Sequence, residues 1–370
     1  MSLLERVDGE TAAVLERYGF DAELFERLRE RVASGSLSPQ SNVIGRDVEP
    51  PRATDLTPLP EPGSEAWRQA RAAGLEALRA GRVAQVVLAG GMATRFGGTV
   101  KGVVEAVRGR SFLEWKLGET AELARALDAE IPIAVMTSFA TDAATRAHVA
   151  ERGLPEPLWF SQSVSLRLER GGELFRDADG RPSPYAPGHG DLVERIGSSG
   201  TLAALRARGV EVVCVSNVDN LGARIDPVVV GAHLLAAHPV TVEVAEKQGD
   251  MGGAPARVDG RVVLVEAFRF PPGFDQDAIP VFNTNTALLD VSVLERSYEL
   301  SWLYVEKEVD GRTAVQLERL YHEITEHVPA TYLVVPRAGP RGRFFPIKTP
   351  EDLERSREAL TEMLETSVLD

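Results

Sequence analysis

Val86-Val87-Leu88-Ala89-Gly90-Gly91-Met92-Ala93-Thr94-Arg95-Phe96-Gly97-Gly98, with Lys101 three residues on, is the stretch that decides the fold of this chain. An apolar run too short for a helix stops at a glycine-rich, basic loop. In α/β proteins a buried strand delivers a phosphate site in this way. Glycines let backbone N–H groups approach the anion, and Arg and Lys neutralise it. The Gly-Lys-Ser/Thr of a P-loop is absent. So is the Gly-x-Gly-x-x-Gly of a dinucleotide site, because Gly90 and Gly91 are adjacent and Ala93 follows. A plain strand-to-helix turn is the other reading of the same residues.

Outward from this stretch, strands and helices alternate. Helical spacing predicts helices within residues 1–33, over 64–80, 112–127, from 137 to 150, over 199–208, 227–237 and 350–365. Strands are predicted over 86–89, 133–136, 158–160, 211–215 and 240–244, with 262–268 and 286–290 as further, antiparallel candidates. The polar, proline-bearing stretch 34–62 reads as a surface loop. The expected fold is α/β, a Rossmann-like, mostly parallel mixed sheet with helices on both faces and an N-terminal helical extension. The expected divisions are 1–80 for the extension, 81–335 for the catalytic domain and 336–370 for a short C-terminal segment.

Composition narrows the class. The 370 residues are 44% hydrophobic and 26% charged, with a net charge of −14. That balance excludes a general nucleic-acid binder, which shows a basic face. No apolar run approaches the roughly 20 residues of a membrane span. The single cysteine, Cys214, excludes an internal disulfide, and the cytoplasm is the expected compartment. Of the 41 basic residues only five are Lys: Lys101, Lys116, Lys247, Lys307 and Lys348. A chain that writes positive charge as Arg retains Lys where a compact ammonium is wanted. Lys101 closes the glycine loop, and Lys348 ends the basic, aromatic segment Arg341-Gly342-Arg343-Phe344-Phe345-Pro346-Ile347-Lys348-Thr349.

Rossmann-like sheets bind ligands at the C-terminal ends of their strands. Polar residues follow the predicted strands: Thr137-Ser138, Gln162, Ser216-Asn217-Val218-Asp219-Asn220, and Glu246 with Lys247. Asp219 stands where a carboxylate holds Mg2+ between protein and nucleotide, or else caps a turn. Pro187-Gly188-His189-Gly190-Asp191 is a second glycine loop. Phe282-Asn283-Thr284-Asn285 offers two amides to sugar hydroxyls, or forms an Asx-rich turn.

Taken in order, these segments resemble the UDP-sugar pyrophosphorylase family, of the UTP–glucose-1-phosphate uridylyltransferase type. The likeness runs over about residues 80–355 and adds Phe160-Ser161-Gln162, Glu243-Val244 with Lys247, Gly252-Gly253 and Phe345-Pro346-Ile347-Lys348-Thr349. The resemblance implies that Ala89, Gly90, Gly91, Thr94, Arg95 and Lys101 form the nucleotide loop and that Gln162 and Gly188 read the uracil. It implies that Asp219 coordinates Mg2+, that His189, Glu243, Gly253, Asn283 and Asn285 hold the sugar, and that Arg95, Lys101 and Lys348 reach the reacting phosphates. UTP, a hexose-1-phosphate and pyrophosphate are the implied partners, with no nucleic acid, no membrane and no oligomeric state specified. Glucose-1-phosphate is the favoured acceptor. N-acetylglucosamine or broad sugar specificity, a non-catalytic nucleotide-sugar binder and a nicotinamide-dependent dehydrogenase are the alternatives. Ala93 and Val100 depart from the family's usual Gly and Pro, and Thr286 from a further Asn.

Overall fold

The computed structural model describes residues 7–93, 98–250, 252–345 and 347–369. Its centre is an eight-stranded sheet. We number these strands β1 (Leu56–Pro58), β2 (Val83–Leu88), β3 (Ile133–Thr137), β4 (Leu158–Ser161), β5 (Val212–Asn217), β6 (Val240–Glu246), β7 (Val281–Asp290) and β8 (Ala330–Val334). The spatial order is β1-β8-β6-β7-β5-β2-β3-β4. All pairs are parallel except those of β7, which runs antiparallel to both β5 and β6. The parallel direction turns the C-terminal ends of β2 to β6 to one edge. Because β7 is reversed, its first residues lie at that same edge.

Apart from the single turn Val291–Leu294, the α-helices are α1 (Gly9–Arg17), α2 (Ala22–Ala33), α3 (Glu65–Arg79), α4 (Phe112–Leu127), α5 (Asp142–Glu151), α6 (Leu192–Ser198), α7 (Thr201–Ala207), α8 (Pro227–Leu235) and α9 (Pro350–Glu365). They cover both faces, and β2 shows why its sequence has no polar side. Its side chains alternate between the faces. Ala84, Val86 and Leu88 pack with Ile196 of α6 and Leu205 of α7. Val87 packs with Leu117 of α4, and Val83 with Leu78 of α3. Helix starts follow local chemistry: Ser111 with Glu114 forms a capping box on α4, and Thr349 with Asp352 forms one on α9. Helices α3 and α8 touch through glycines. A Cβ on Gly74 would fall 1.8 Å from the Pro227 carbonyl oxygen, and one on Gly231 1.7 Å from that of Ala70.

The stretch expected as a loop contributes two short strands. One is β1, and the other, Val48–Glu49, pairs with the hairpin Ala254–Val258/Arg261–Val265. Two or three residues, with Pro50 and Pro51 after one strand and Pro58 and Pro60 closing the other, carry no readable alternation. Helix α6, the hairpin Leu303–Val309/Arg312–Glu318 and strand β8 also lie outside the sequence expectation. The hairpin packs with α1 and α2 around Leu15, Phe25, Leu28, Val315 and Leu317, a satellite core. Among the described residues no helix is long and apolar enough to cross a membrane.

Candidate active site

The expected site residues gather over the edge formed by the C-terminal ends of the parallel strands. Ala89 leaves β2 buried, its N–H donating to the Met136 carbonyl at 2.8 Å. Gly90 follows, and its carbonyl accepts from Ser138 Oγ at 2.9 Å. A Cβ here would lie 2.3 Å from Gln162 Nε2, so only glycine lets the buried Gln162 amide lie against the loop. Gln162 is fixed by its N–H donating to the Thr137 carbonyl at 2.9 Å. Among the described residues, nothing lies within 4 Å of where a Gly91 Cβ would be. Beyond it Lys101 forms an ion pair with Asp219, which sits in the loop after β5. Thr94 and Arg95, expected at the phosphates, lie outside the described residues.

Two residues before Asp219, Asn217 begins the next set of contacts. Asn285 Nδ2 donates to Asn217 Oδ1 at 2.9 Å, and the Asn285 N–H to Asn283 Oδ1 at 3.0 Å. The Asn283 N–H donates to the Gly253 carbonyl at 2.7 Å. This is not a free Asx turn but a bulge inside β7. The register with β6 shifts between Glu243 and Val244, and Asn285 adopts φ +55°. Asn tolerates the left-handed region better than most residues, and the bulge swings its amide towards β5.

On the far wall, Glu266 Oε2 lies 3.2 Å from where a Gly253 Cβ would be. His322 Nε2 is 3.8 Å from that carboxylate oxygen. The His322 and His189 rings are 5.6 Å apart. His189 Nδ1 accepts from the Tyr321 N–H at 3.3 Å, and burial pushes its pKa down to about 4, so the ring is neutral. Gly188, at φ +98°, lies against the Arg319 carbonyl, which also accepts from the Gly190 N–H at 2.9 Å. Asp191 then accepts from the Ser163 N–H and Oγ at 2.7 and 2.6 Å, which leads back to Gln162. The circuit is closed.

Two expected residues stand apart from it. Glu243 does not line the cleft. It is fully buried, with Oε2 and Oε1 engaged by Arg343 Nε and Nη2 at 2.7 and 2.6 Å. Lys348 is exposed, and its N–H donates to Asp352 Oδ2 at 3.0 Å. Its charge also reaches Asp250. Burial raises the Asp250 pKa, but bonds from Arg337 and Gln248 and the charges of Arg337 and Lys348 outweigh that and hold it low.

A layer missed at the sequence level supports the cleft from beneath. Lys116 Nζ donates to Ser216 Oγ at 3.1 Å and to the Ala223 carbonyl at 2.7 Å, stapling together both ends of the loop that carries Asp219. Asn220 accepts from the Phe345 N–H at 3.2 Å and donates to the Arg343 carbonyl at 3.1 Å, which docks the segment leading to Lys348 onto the same loop. Arg224 Nε lies 2.8 Å from Glu119 Oε1. The only sequence hint was the scarcity of Lys, which Lys116 shares.

A closed circuit of glycine loops, an acid–ammonium pair and amides at one sheet edge suits a nucleotide and a second polar ligand held side by side. The sequence model of the family described as UTP–glucose-1-phosphate uridylyltransferase matches residues 22–368. The chain belongs to this family. The family member from Saccharomyces cerevisiae named UTP–glucose-1-phosphate uridylyltransferase is 31% identical over 296 residues, covering 74% of this chain and 58% of that protein. The chain thus spans under two-thirds of this relative's length. Among solved structures, the UDP-N-acetylglucosamine pyrophosphorylase of Trypanosoma brucei matches with a TM-score of 0.76 at 20% identity, covering 95% of this chain and 80% of that one. A structure described as the UDP-glucose phosphorylase of the same organism matches with a TM-score of 0.75 at 21% identity, covering 94% and 78%. The fold is that of the UDP-sugar pyrophosphorylases.

Proposed function

We propose that the chain makes a UDP-sugar and pyrophosphate from UTP and a hexose-1-phosphate, with glucose-1-phosphate as the preferred acceptor. The observation that carries this reading is the closed circuit from Gln162 and Gly90 through Lys101–Asp219 and Asn217–Asn285 to Gly253 and His189. On this reading the path runs from a base-reading amide over a phosphate loop to sugar-facing amides. The family's relatives named for glucose-1-phosphate favour that sugar.

An oxygen of the sugar phosphate attacks the α-phosphorus of UTP, and the bond to the bridging oxygen of the leaving pyrophosphate breaks. The nucleophile is already an anion, so no residue needs to act as a base. The protein's work is positioning and charge neutralisation. Gly90 and Gly91 bring backbone N–H groups to the phosphates. Lys101, together with Arg95 from the loop, meets their charge, and Lys348 approaches from the C-terminal segment. Gln162, whose amide both donates and accepts, suits the edge of uracil, and Gly188 would meet the base with its backbone groups, its side-chain position being filled by the Arg319 carbonyl. The buried Asn285 Oδ1 has no partner among the described residues and suits a sugar hydroxyl. Asn283, Gly253 and His189 lie around it. Glu243 acts at one remove, by anchoring Arg343.

Mg2+ fits the donor set. The half-buried Asp219 is a single carboxylate, and Mg2+ is commonly held by one or two carboxylates plus substrate phosphates. Bound there, it would add Lewis-acid stabilisation of the phosphate charge, and Lys101 would then be free to turn from Asp219 to the phosphates. The lone Cys214 suits a reducing compartment, and the cytoplasm is the proposed location.

Pyrophosphate release with Mg2+, UTP and a panel of sugar-1-phosphates tests the reading. Release led by glucose-1-phosphate is expected. Folded protein that releases none with any sugar would overturn it.

A further inference from the structure

Gln162 is buried, yet the protein holds it by its backbone alone. Its side-chain amide makes no hydrogen bond among the described residues, while the Ser161 carbonyl, the Gln162 N–H and the Ser163 N–H are each engaged. A side chain with no bond of its own points where its backbone aims it. Two of these three anchors lead back to the turn that closes α1.

The first anchor is Arg195 of α6, whose Nε donates to the Ser161 carbonyl at 3.0 Å. Its guanidinium rests against Gly19, where a Cβ would fall 3.1 Å from Arg195 Nη1. The second runs through Asp142, which is 3% exposed. Asp142 Oδ2 accepts from Tyr18 Oη and from Arg17 Nη2, both at 3.4 Å. Its Oδ1 accepts from Thr137 Oγ1 at 2.8 Å, and the Thr137 carbonyl accepts from the Gln162 N–H. Tyr18 also packs edge-on to Phe139, with ring centroids 6.4 Å apart. Past Gln162, Val164 is buried in the same satellite core as Leu15 and Phe25. The backbone before and after Gln162 is thus gripped from α1 and α2.

We propose that residues 17–19, the turn closing α1, act with Arg195 to aim Gln162 at the nucleotide base, so that the N-terminal helices govern how the base is bound. The proposal rests on the nucleotidyl-transfer reading of the site. It gives α1 a task beyond burying apolar surface. A shift of this turn displaces Arg195 and Asp142 together, and the Gln162 amide moves with them. Arg17, Tyr18 and Arg195 are positioning residues, because each acts through the backbone around Gln162.

Steady-state pyrophosphate release by the full chain tests it, with glucose-1-phosphate and either UTP or CTP. Arg195→Met keeps the apolar stem and removes the donor to Ser161. It should raise KM for UTP about 10-fold, the scale on which a binding group loses its place by part of an ångström, and leave kcat and KM for glucose-1-phosphate within about twofold. The preference for UTP over CTP should narrow with it. Arg195→Lys can still donate to the carbonyl and should recover part of the loss. Arg17→Met combined with Tyr18→Phe strips both donors from Asp142 and should raise KM for UTP less, about threefold, because bonds of 3.4 Å are weak. An unchanged KM for UTP in Arg195→Met, or a parallel rise in both substrate constants, would show a residue that serves only packing and would overturn the proposal. If Arg195→Met does not fold, Arg195→Lys and the Arg17, Tyr18 double variant carry the same decision. If the wild-type chain turns over no sugar phosphate, the enzymatic reading fails first. Calorimetric titration with UTP then decides the positioning: weaker binding by Arg195→Met supports it, and equal binding, or none by either protein, overturns it.

Discussion

The layer beneath the cleft and the wall that faces it treat buried polar groups in opposite ways. Beneath, the fully buried groups are engaged, Glu243 with Arg343 and Lys116 with Ser216 and the Ala223 carbonyl, while the half-buried Arg224 lies 2.8 Å from Glu119 without an aligned hydrogen bond at its Nε. At the wall, Asn285 Oδ1 and both nitrogens of His322 are buried without a partner among the described residues. Paired groups hold a shape, whereas open ones wait for a ligand. Charge alone does not separate the two. Arg343 and Lys348 come from one basic segment, five residues apart, and one is locked while the other is exposed.

Substitutions below the cleft should therefore move stability, and those at its surface should move kinetics. The sharpest break is Arg343→Met, which strands the fully buried Glu243 carboxylate. It should cost about 3–5 kcal/mol in chemical denaturation, and the double change with Glu243→Gln should recover much of it. An equally stable single variant would remove the distinction. Next, Lys348→Ala should lower kcat roughly 10²- to 10³-fold, the scale for a lost transition-state charge partner, with Tm unchanged. Turnover at the wild-type rate would refute its placement at the phosphates. Gly90→Ala should displace Gln162 and raise KM for UTP about 10-fold, on the scale of 1.4 kcal/mol, while KM for the sugar-1-phosphate holds. A parallel rise in both constants would mean a general distortion of the loop.

The smallest effect concerns Lys116 and is read from pH. Burial pushes its pKa from 10.5 down to about 7, although the charges of Glu119, Asp219 and Glu243 oppose that fall. Between those two pH values the unfolded chain holds the proton and the folded chain has lost it. Stability contributed by this group therefore climbs as pH rises through that window, by at most about 1.4 kcal/mol per pH unit. Below pH 7 the full cost of a buried ammonium is present. Lys116→Met should flatten the slope, measured as Tm between pH 7 and 9. An unaltered slope would assign the titration elsewhere.

The sequence shows some of this and hides the rest for identifiable reasons. The strand that runs into Gly90 is legible because β2 is apolar on both faces and its loop chemistry is local. The reversed strand β7 was readable at 286–290, but not the bulge at Asn285, whose one signal is an Asn where a left-handed residue is needed. Glu243 looked like a sugar ligand because its partner, Arg343, is 100 residues away. No spacing rule joins them. His322 sits in no motif, and its meaning comes entirely from what fails to bond it. Strand β1 is three residues long and lies in a stretch whose prolines signal a loop.

Those prolines also bear on how the sheet ends. The Leu59 N–H bonds inward to the Val334 carbonyl. Alternate residues turn their backbone groups to the same side, so Leu56, Pro58 and Pro60 present theirs outward. Two of these three positions have no N–H to offer. A further strand laid along this border would find half its ladder missing, as protected sheet margins require. The border is closed to strand addition by chemistry, so this sheet does not extend into a neighbouring molecule along it.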